Sequence, residues 1–313
     1  MKKTLTFMFI LLSVLCLTGC GGHVVNNEEK EKTFEEKLES KMNVGSIEVY
    51  KIKCDDLNQY DILDIEYQTM LLSNGKVYSI LLDTNKYYSN DQQCKPVSDD
   101  IKFKYISYRR LISDDNKPYF YSDSEGFNKL EYDKVPDVLF KDNIIKVESS
   151  SFTDEEQKKY DYSSVDVGDK CLGTSYYPYI YIKDGSIYRG IVKNKHYHYY
   201  SSGKEVNISD ELVDEKVLYS KEKYGNITDY KRLQEPDIWE SYIASDKGLF
   251  KYSDVETEEC KKYEDIKCER DFVRVDKLDK YKDEIKLITT DYIVTNNNYI
   301  FSVHDIFNYN FDE

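Results

Sequence analysis

Hairpin turns constrain this chain more than any other feature, because a well-defined turn fixes how two strands pair. Residues 179–192 read YIYIKDGSIYRGIV, with Asp184-Gly185 between two runs of Ile, Tyr and Val. A two-residue type I′ turn requires positive φ at both positions, and Asp-Gly is one of the pairs that adopts it. The turn predicts a hairpin in which Tyr181 lies opposite Tyr188.

A second segment repeats this pattern nearer the N-terminus. Residues 70–82 read MLLSNGKVYSILL, and Asn74-Gly75 occupies the turn. If the same two-residue turn forms, Leu72 lies opposite Val77. Both segments continue into a tyrosine-rich stretch, KYYS here and HYHYYS after the other hairpin, so the match extends beyond the turn.

Three weaker copies show the same order of an aliphatic or aromatic run, a polar turn and a second run with Tyr or Phe. They are LISDDNKPYFY (111–121), YIASDKGLFKY (242–252) and YIVTNNNYIFSV (292–303). The five turn centres fall near residues 75, 116, 185, 247 and 297. Gaps of roughly 40–70 residues suit one supersecondary unit per repeat.

This recurring strand–turn–strand unit resembles the blade of a bacterial β-propeller with hairpins of the type L-x-x-D-G-x-V-Y. The resemblance implies an all-β fold with about five or six blades, which stack because one blade cannot bury both faces alone. The uneven spacing and the poor fit of 125–160 and 253–290 depart from the pattern. The alternatives are a non-repeating β-rich fold and an α+β fold with antiparallel sheets, which a helix within SDELVDEKVLYSKEKYG (209–225) would favour.

The N-terminus has the features of an export signal. Two lysines precede an uncharged apolar stretch at 4–17, which is long enough for a secretory signal and shorter than the roughly 18–20 residues that span a bilayer. Leu17-Thr18-Gly19-Cys20 then resembles the bacterial lipobox, in which the cysteine sulfur is lipidated and the chain is cut just before it. The resemblance implies that residues 1–19 are a lipoprotein signal peptide and that Cys20 is the lipidated first residue of the mature chain.

A lipidated N-terminus predicts where the rest of the protein works. Two acyl chains hold a protein stably on a bilayer without spanning it, so we expect the extracytoplasmic face of the cell membrane. Residues 20–43 begin with Gly and Asn and become a run of Glu and Lys, which predicts a tether with a short surface helix over 28–41. Residues 44–313 are predicted to form one β-rich domain.

The charge balance excludes one class of partner. The chain has 44 basic and 59 acidic residues, a net charge of −15. Nucleic acid binding needs Lys and Arg to replace counterions, so no nucleic acid partner is expected.

Five cysteines remain after the signal and the lipidated residue, an odd number for an exported chain. Disulfides can form outside the cytoplasm. The first pair we predict is Cys260–Cys268, which closes a short loop in CKKYEDIKC, and the second is Cys54–Cys94. Cys171 is then left free. The alternative is that all five are small buried hydrophobic residues.

No catalytic motif is present in the sequence. It contains neither a G-x-S-x-G elbow nor a glycine-rich phosphate loop, and it has only four histidines, so we assign no catalytic residue and no cofactor. In KHYHYY, His196 and His198 share one face of a strand and could bind a metal with His304 or an acid. The simpler interpretation is a polar face of a hairpin arm, and no metal is assigned.

The residues singled out as a ligand-binding surface are Tyr179, Tyr181, Tyr188, His196 and His198. Exposed tyrosine rings bind sugar faces and peptides, although tyrosine is also an ordinary strand residue. We therefore predict a membrane-anchored binding or interaction module for an envelope protein, peptide or glycan. The alternative is an extracytoplasmic hydrolase of glycan or peptide, which a concave pocket holding two carboxylates of raised pKa would favour.

Overall fold

Short antiparallel strands make up most of the computed structural model. It describes residues 32–43, 49–66, 69–80, 91–97, 100–107, 110–115, 117–122, 126–129, 136–140, 144–234, 236, 238, 240–255 and 268–308. The predicted signal peptide and Cys20 lie outside the described residues, and no helix among those described is long and apolar enough to cross a membrane.

The elements of the described residues are twenty-one β-strands and four α-helices, with three short 3-10 helices between them. The strands are β1 (Val49–Lys53), β2 (Ile62–Glu66), β3 (Thr69–Leu72), β4 (Val77–Ile80), β5 (Asp91–Pro96), β6 (Phe103–Ser107), β7 (Arg110–Ser113), β8 (Pro118–Ser122), β9 (Gly126–Lys129), β10 (Ile144–Ser149), β11 (Ser163–Val167), β12 (Lys170–Lys183), β13 (Ser186–Tyr199), β14 (Glu205–Tyr219), β15 (Ile227–Lys231), β16 (Tyr242–Ser245), β17 (Gly248–Asp254), β18 (Arg270–Arg274), β19 (Ile285–Ile288), β20 (Tyr292–Thr295) and β21 (Tyr299–Ser302). The α-helices are α1 (Phe34–Asn43), α2 (Asp154–Lys159), α3 (Lys221–Tyr224) and α4 (Val303–Asn308). The 3-10 helices span Asp55–Asn58, Asp137–Phe140 and Asp276–Tyr281.

The strands pair in five up-and-down groups of four. Three groups are consecutive in sequence: β2–β5, β6–β9 and β15–β18. The third group along the chain has the order β10-β12-β13-β14, with β11 added beside β12. The last group consists of β19, β20, β21 and β1, because β1 pairs antiparallel with β21 and supplies the fourth strand. β1 also pairs in parallel with β5, and this pairing joins the last group to the first. The prediction of a β-rich fold with antiparallel sheets is confirmed.

The first strand of every group carries a β-bulge at its second residue. The register shifts lie between Ile62 and Asp64, Phe103 and Tyr105, Ile144 and Lys146, Ile227 and Asp229, and Ile285 and Leu287. A bulge inserts one extra residue and bends the strand locally. Because the bulge recurs at the same place, the five groups share one construction despite their different sequences.

All five predicted turns connect the middle two strands of a group. The pairs are β3 with β4, β7 with β8, β12 with β13, β16 with β17 and β20 with β21. Asp184 and Gly185 have φ of 50° and 75°, as a type I′ turn requires, and Tyr181 lies opposite Tyr188. The predicted register of this hairpin is confirmed.

The register predicted for the Asn74-Gly75 hairpin is wrong by one residue. Leu71, not Leu72, lies opposite Val77, because the loop has three residues and only its last, Gly75, has a positive φ, 79°. The Leu72 N–H donates to the carbonyl oxygen of Lys76 at 3.0 Å and closes this longer loop. Both strands are buried on both faces, so the hydrophobic pattern could not distinguish the two registers.

Helix α1 belongs to the folded body and not to a tether that ends at residue 43. Phe34 and Leu38 lie on one face of the helix and are fully buried. The Phe34 ring stacks on Tyr281 at 4.1 Å between centroids and meets Phe301 edge-on at 5.5 Å. Residues from Phe34 onward therefore form the body, which begins ten residues before the predicted boundary at 44.

Segment 209–225, for which a helix was the alternative, is mostly strand. Its first eleven residues belong to β14, which pairs with β13 along its length, and only the short helix α3 follows. Tertiary pairing thus overrides the helical preference of its Glu, Lys and Leu residues.

The cysteines follow the prediction where the structure describes them. Cys54 and Cys94 form a disulfide, and Cys171 is buried and free, so both predictions are confirmed. Cys268 is disulfide-bonded. Cys260 lies outside the described residues, and the pairing Cys260–Cys268 stays a prediction.

Candidate functional site

The third group, formed by β10, β12, β13 and β14, contains the longest strands of the described residues. Its last three strands extend beyond the end of β10. β12 and β13 have 14 residues each and β14 has 15, whereas β10 covers only the Tyr179–Lys183 end of β12. The other end of β12 pairs with β11 instead. We call this distal part, residues 163–177 and 192–212, the arm.

The outer end of one face of the arm carries apolar side chains that are exposed or partly exposed to solvent. Cross-strand pairing places Val165, Leu172, Tyr197 and Val206 in one row across four strands. Val165 is 65% exposed and Val206 is 37% exposed. A neighbouring row on the same face holds Val167, Lys170 and Tyr199.

These two rows are held together by contacts between rings and a lysine. The Lys170 ammonium lies 3.8 Å from the ring centroid of Tyr197 and 5.1 Å from that of Tyr199. Its charge therefore sits against aromatic surface. We call Val165, Val167, Leu172, Tyr197, Tyr199 and Val206 the apolar face of the arm.

The opposite face of the arm contains both histidines that the sequence singled out. His196 is 8% exposed, and its Nδ1 lies 2.9 Å from the Oδ1 of Asn194. Its ring packs over Gly173, where a Cβ atom would lie 2.4 Å from Nε2, and faces the ring of Tyr162. This glycine makes room for the imidazole, so His196 has a packing role.

His198 shares this face but has different neighbours. Its Nδ1 lies 3.6 Å from the Oε1 of Glu205 on the adjacent strand. His304 is exposed on α4. Among the described residues, no group of three His, Cys, Asp or Glu side chains is placed to hold a metal.

Tyr179, Tyr181 and Tyr188, the three tyrosines singled out from the sequence, lie on β12 and β13 outside the arm. They contribute mainly to the core. Tyr179 and Tyr181 are buried, and both belong to the hydrophobic cluster that includes Val147 and Val192. Tyr188 is half-buried and stacks on Tyr181 at 5.9 Å. Tyr179 and Tyr181 are therefore unavailable as an exposed platform, whereas Tyr197 and Tyr199 of the apolar face are partly exposed.

A polar cavity of about 160 Å³ opens beside α2, on the same sheet as the arm. Its lining residues are Thr153, Glu155, Glu156, Lys159, Arg189, Ile191, Asp214 and Lys216. Arg189 is buried and binds both carboxylate oxygens of Glu156, at 2.7 Å through Nε and 2.5 Å through Nη2. The cavity floor is therefore a fixed ion pair.

Two carboxylates of this cavity, Glu156 and Asp214, have a lowered pKa. Hydrogen bonding from Arg189 lowers the pKa of Glu156 from 4.5 to about 2. Hydrogen bonds from Lys159 and Tyr160 lower the pKa of Asp214 below its usual value. A general acid needs the opposite shift, so these groups are poorly suited to proton donation.

A second polar cluster is buried where the first strands of the groups meet. Lys146 on β10 forms an ion pair with Asp229 on β15, and both side chains are almost fully buried. The other oxygen of Asp229 accepts hydrogen bonds from the backbone N–H of Thr290 at 2.7 Å and from its hydroxyl at 2.8 Å. The Lys146 ammonium also lies 5.1 Å from the ring centroid of Tyr230.

Burial and charge shift the pKa of two groups in this cluster. Burial disfavours charge on Lys146, but Asp229, Glu66, Glu148 and Asp64 outweigh it and raise the lysine pKa well above its usual value. Burial, followed by the charge of Asp229, raises the pKa of Asp64 well above its usual value, although Lys146 opposes this. The cluster is a buried structural ion-pair network that the sequence analysis did not find.

No protein-family model matches this chain, and none of the curated proteins matches it significantly.

Proposed function

We propose that this protein is a lipid-anchored extracytoplasmic lipoprotein that acts as a binding or interaction module for a protein, peptide or glycan of the envelope. The observation that carries the proposal is the apolar face of the arm. Monomeric soluble proteins rarely leave a large contiguous apolar patch in water, and such patches mark interaction sites.

The composition of the apolar face suits a reversible binding site. Tyr197 and Tyr199 present rings with a polar end, flanked by the exposed Val165 and Val206. Tyrosine is enriched in interface centres because it buries a large area at a low entropic cost. Lys170, seated against both rings, adds a positive charge on a protein that is acidic overall.

Anchoring rests on Leu17-Thr18-Gly19-Cys20 and the apolar stretch before it. A diacylglyceryl group on Cys20 attaches the acidic body to the membrane without requiring basic residues. The test is Cys20→Ser in the native host, followed by fractionation. We expect the variant to leave the membrane fraction or to remain unprocessed, and a fully processed variant in the membrane fraction contradicts the anchor.

For the scaffold, we propose a five-bladed β-propeller in which each four-stranded group is a blade. Contacts between the first strands support a ring: β6 lies against both β2 and β10. The Lys146–Asp229 ion pair links β10 to β15, and the Asp229–Thr290 hydrogen bonds link β15 to the end of β19. The Thr289 hydroxyl donates to the carbonyl oxygen of Ile65 at 3.4 Å, which links this point back to β2.

Two further features agree with stacked blades. The carbonyl oxygens of the turn residues Gly75 and Gly185 accept hydrogen bonds from Phe103 and Ile227, the first residues of the next groups. In addition, β1 completes the group formed by β19–β21, so the N-terminal and C-terminal strands share one sheet. Pairing the first strand with the last is a way to close a ring of repeats.

The binding role is tested by placing a photo-reactive amino acid on the full chain in intact cells. We would place it at Val206 on the apolar face and, as a matched control, at Val273 on β18, which is a similarly exposed valine outside the arm. We expect ultraviolet light to give a discrete adduct of higher mass from position 206 and none from 273. Equal adducts from both positions, or none from either, would overturn the proposal.

A further inference from the structure

The two edge strands of the arm differ in how they are protected against pairing. β14 is interrupted by three register shifts against β13 and carries five acidic residues. Bulges and charges of this kind discourage strand addition at an edge. β11 has a regular register against β12, and all five of its residues are exposed.

We propose that β11 pairs with β11 of a second copy of this chain, antiparallel and about a two-fold axis at Val165. Among the described strands β11 pairs with β12 alone, so no described strand occupies its outer edge. The strand reads SSVDV and is apolar only at Val165 and Val167. Sheet edges bind extended strands through backbone hydrogen bonds, with the side chains providing specificity.

The sequence of β11 is complementary to itself in this register. Val165 meets Val165 of the second copy, and Val167 meets Ser163, on the face that carries the apolar row. On the other face Asp166 meets Ser164, whose hydroxyl can donate to the carboxylate. No acid lies opposite an acid within the five paired residues, where like charges would be destabilising.

This pairing doubles the proposed binding surface. The row Val165, Leu172, Tyr197 and Val206 would continue across the two-fold axis into the same row of the second copy. Five paired residues form a small contact, below the area of a typical permanent interface, so the dimer is reversible. Attachment of both copies to one membrane would raise their effective concentration and favour pairing.

The salt dependence of β11 pairing distinguishes a second copy from a basic partner. Each copy carries a net charge of −15, and Asp161 and Asp169 flank the paired strand. Like-charge repulsion between copies weakens as salt screens it. Dimerisation should therefore strengthen with added NaCl, whereas binding of a basic peptide to the same edge should weaken.

The direct test is cysteine cross-linking of the full chain in membranes from its host. In an antiparallel pair, opposed Cβ atoms approach within about 4.5–5.5 Å, close to the range that a disulfide needs. Val165→Cys should therefore cross-link to itself on mild oxidation. Val167→Cys should not, because the two thiols are offset by four residues, about 13 Å along the strand.

A mixed experiment checks the register. Co-expressed Ser163→Cys and Val167→Cys chains should cross-link, because these positions oppose each other across the axis. Val273→Cys, an exposed valine on β18, is the background control. We expect Val165→Cys to give about tenfold or more dimer than this control, since pairing raises the effective concentration of the two thiols.

Equal yields from Val165→Cys, Val167→Cys and Val273→Cys would overturn the dimer, as would a yield from Val165→Cys no higher than that of the control. Because Val165 is exposed, the substitution should leave the fold intact, and an unchanged thermal midpoint verifies this. This outcome does not decide the binding role. A photo-adduct at position 206 supports an envelope partner, even if β11 does not pair, when its added mass differs from the mass of one further copy of the chain.

Discussion

The buried centre and the arm each place side chains contrary to the usual rule: the centre buries charged groups, and the arm exposes apolar ones. At the centre, Lys146 and Asp229 are charged and almost fully buried. In the arm, Val165 and Val206 are apolar and exposed. The charges at the centre bind each other and Thr290, so their burial is compensated inside the molecule. The valines of the arm remain partly open to solvent.

On the proposed function, this difference separates residues that stabilise the fold from residues that bind a partner. A buried ion pair holds its neighbours in one arrangement, and removing one partner leaves a charge without compensation. An exposed apolar face contributes little to the folded state and gains free energy when something covers it. Substitutions at the centre should therefore change unfolding, and substitutions on the apolar face should change binding alone.

The largest expected effect is at the centre. Lys146→Met should reduce the free energy of unfolding by about 3–5 kcal/mol, because it leaves Asp229 buried without its cation. Urea denaturation of the variant beside the unmodified chain measures this. Lys146→Met combined with Asp229→Asn should recover part of the loss, since Asn removes the charge and keeps an acceptor for Thr290. A loss below about 1 kcal/mol in the single variant would show that the ion pair is not structural.

Arg189→Ala tests whether the Arg189–Glu156 ion pair of the cavity stabilises the fold as the Lys146–Asp229 pair of the centre does. It removes the hydrogen bonds to Glu156 and should cost about 2 kcal/mol at neutral pH. The pKa of Glu156 is lowered in the folded state from 4.5 to about 2, so its stabilising contribution is complete above pH 4.5 and is lost as pH falls toward 2. The stability difference between the unmodified chain and the variant should narrow over that range in denaturation curves. A difference that stays constant would mean that Arg189 acts only through its bonds to Ser150 and Ser151.

The same substitution in two turns of the third group compares packing in the body with packing in the arm: Gly185 lies in the β12–β13 turn and Gly203 in the β13–β14 turn of the arm. Gly185 and Gly203 have similar positive φ values, 75° and 65°, but a Cβ at Gly185 would lie 2.1 Å from the Oδ1 of Asn226, while nothing lies within 4 Å of one at Gly203. Gly185→Ala should cost about 1–3 kcal/mol, from backbone strain and the displaced neighbour. Gly203→Ala should cost about 1 kcal/mol from strain alone. Thermal unfolding of both variants gives the comparison, and equal costs would argue against close packing at Gly185.

The smallest expected effect on stability is on the apolar face. Val206→Lys should change the free energy of unfolding by less than about 0.5 kcal/mol, because the site is already open to solvent. The same substitution should abolish recovery of the envelope partner, since it places a charge beside Tyr197 on the face. Val273→Lys serves as the control for both measurements. A large loss of stability in Val206→Lys would show that the face is covered within the molecule.

The sequence predicted the hairpins better than the features between them. The Asp184-Gly185 turn was correct because both positions require residues that accept positive φ. The Asn74-Gly75 register could not be resolved, because both faces of β3 and β4 are buried and a slip by one residue leaves the strands equally apolar. The signal peptide and the lipidated cysteine lie outside the described residues and stay predictions.

The buried centre was missed because its charges come from separate groups and look like ordinary polar positions. Asp64, Lys146 and Asp229 each follow a bulge that a sequence pattern does not reveal. A usable signal was available: each is a charged residue at the third position of its first strand, the same place in its repeat. Tyr179 and Tyr181 were misplaced for a related reason, since composition does not tell which tyrosines face the core and which extend into the arm.

Hydrogen exchange of the full chain, in host membranes and after purification in detergent, tests the central claim most directly. The account predicts that backbone amides of 163–174 and 193–208 exchange more slowly in the membranes, where partners are present, while amides of the buried first strands exchange at the same slow rate in both samples. The opposite pattern, with unchanged exchange in the arm and new protection elsewhere in the body, would contradict the assignment of the arm as the binding surface.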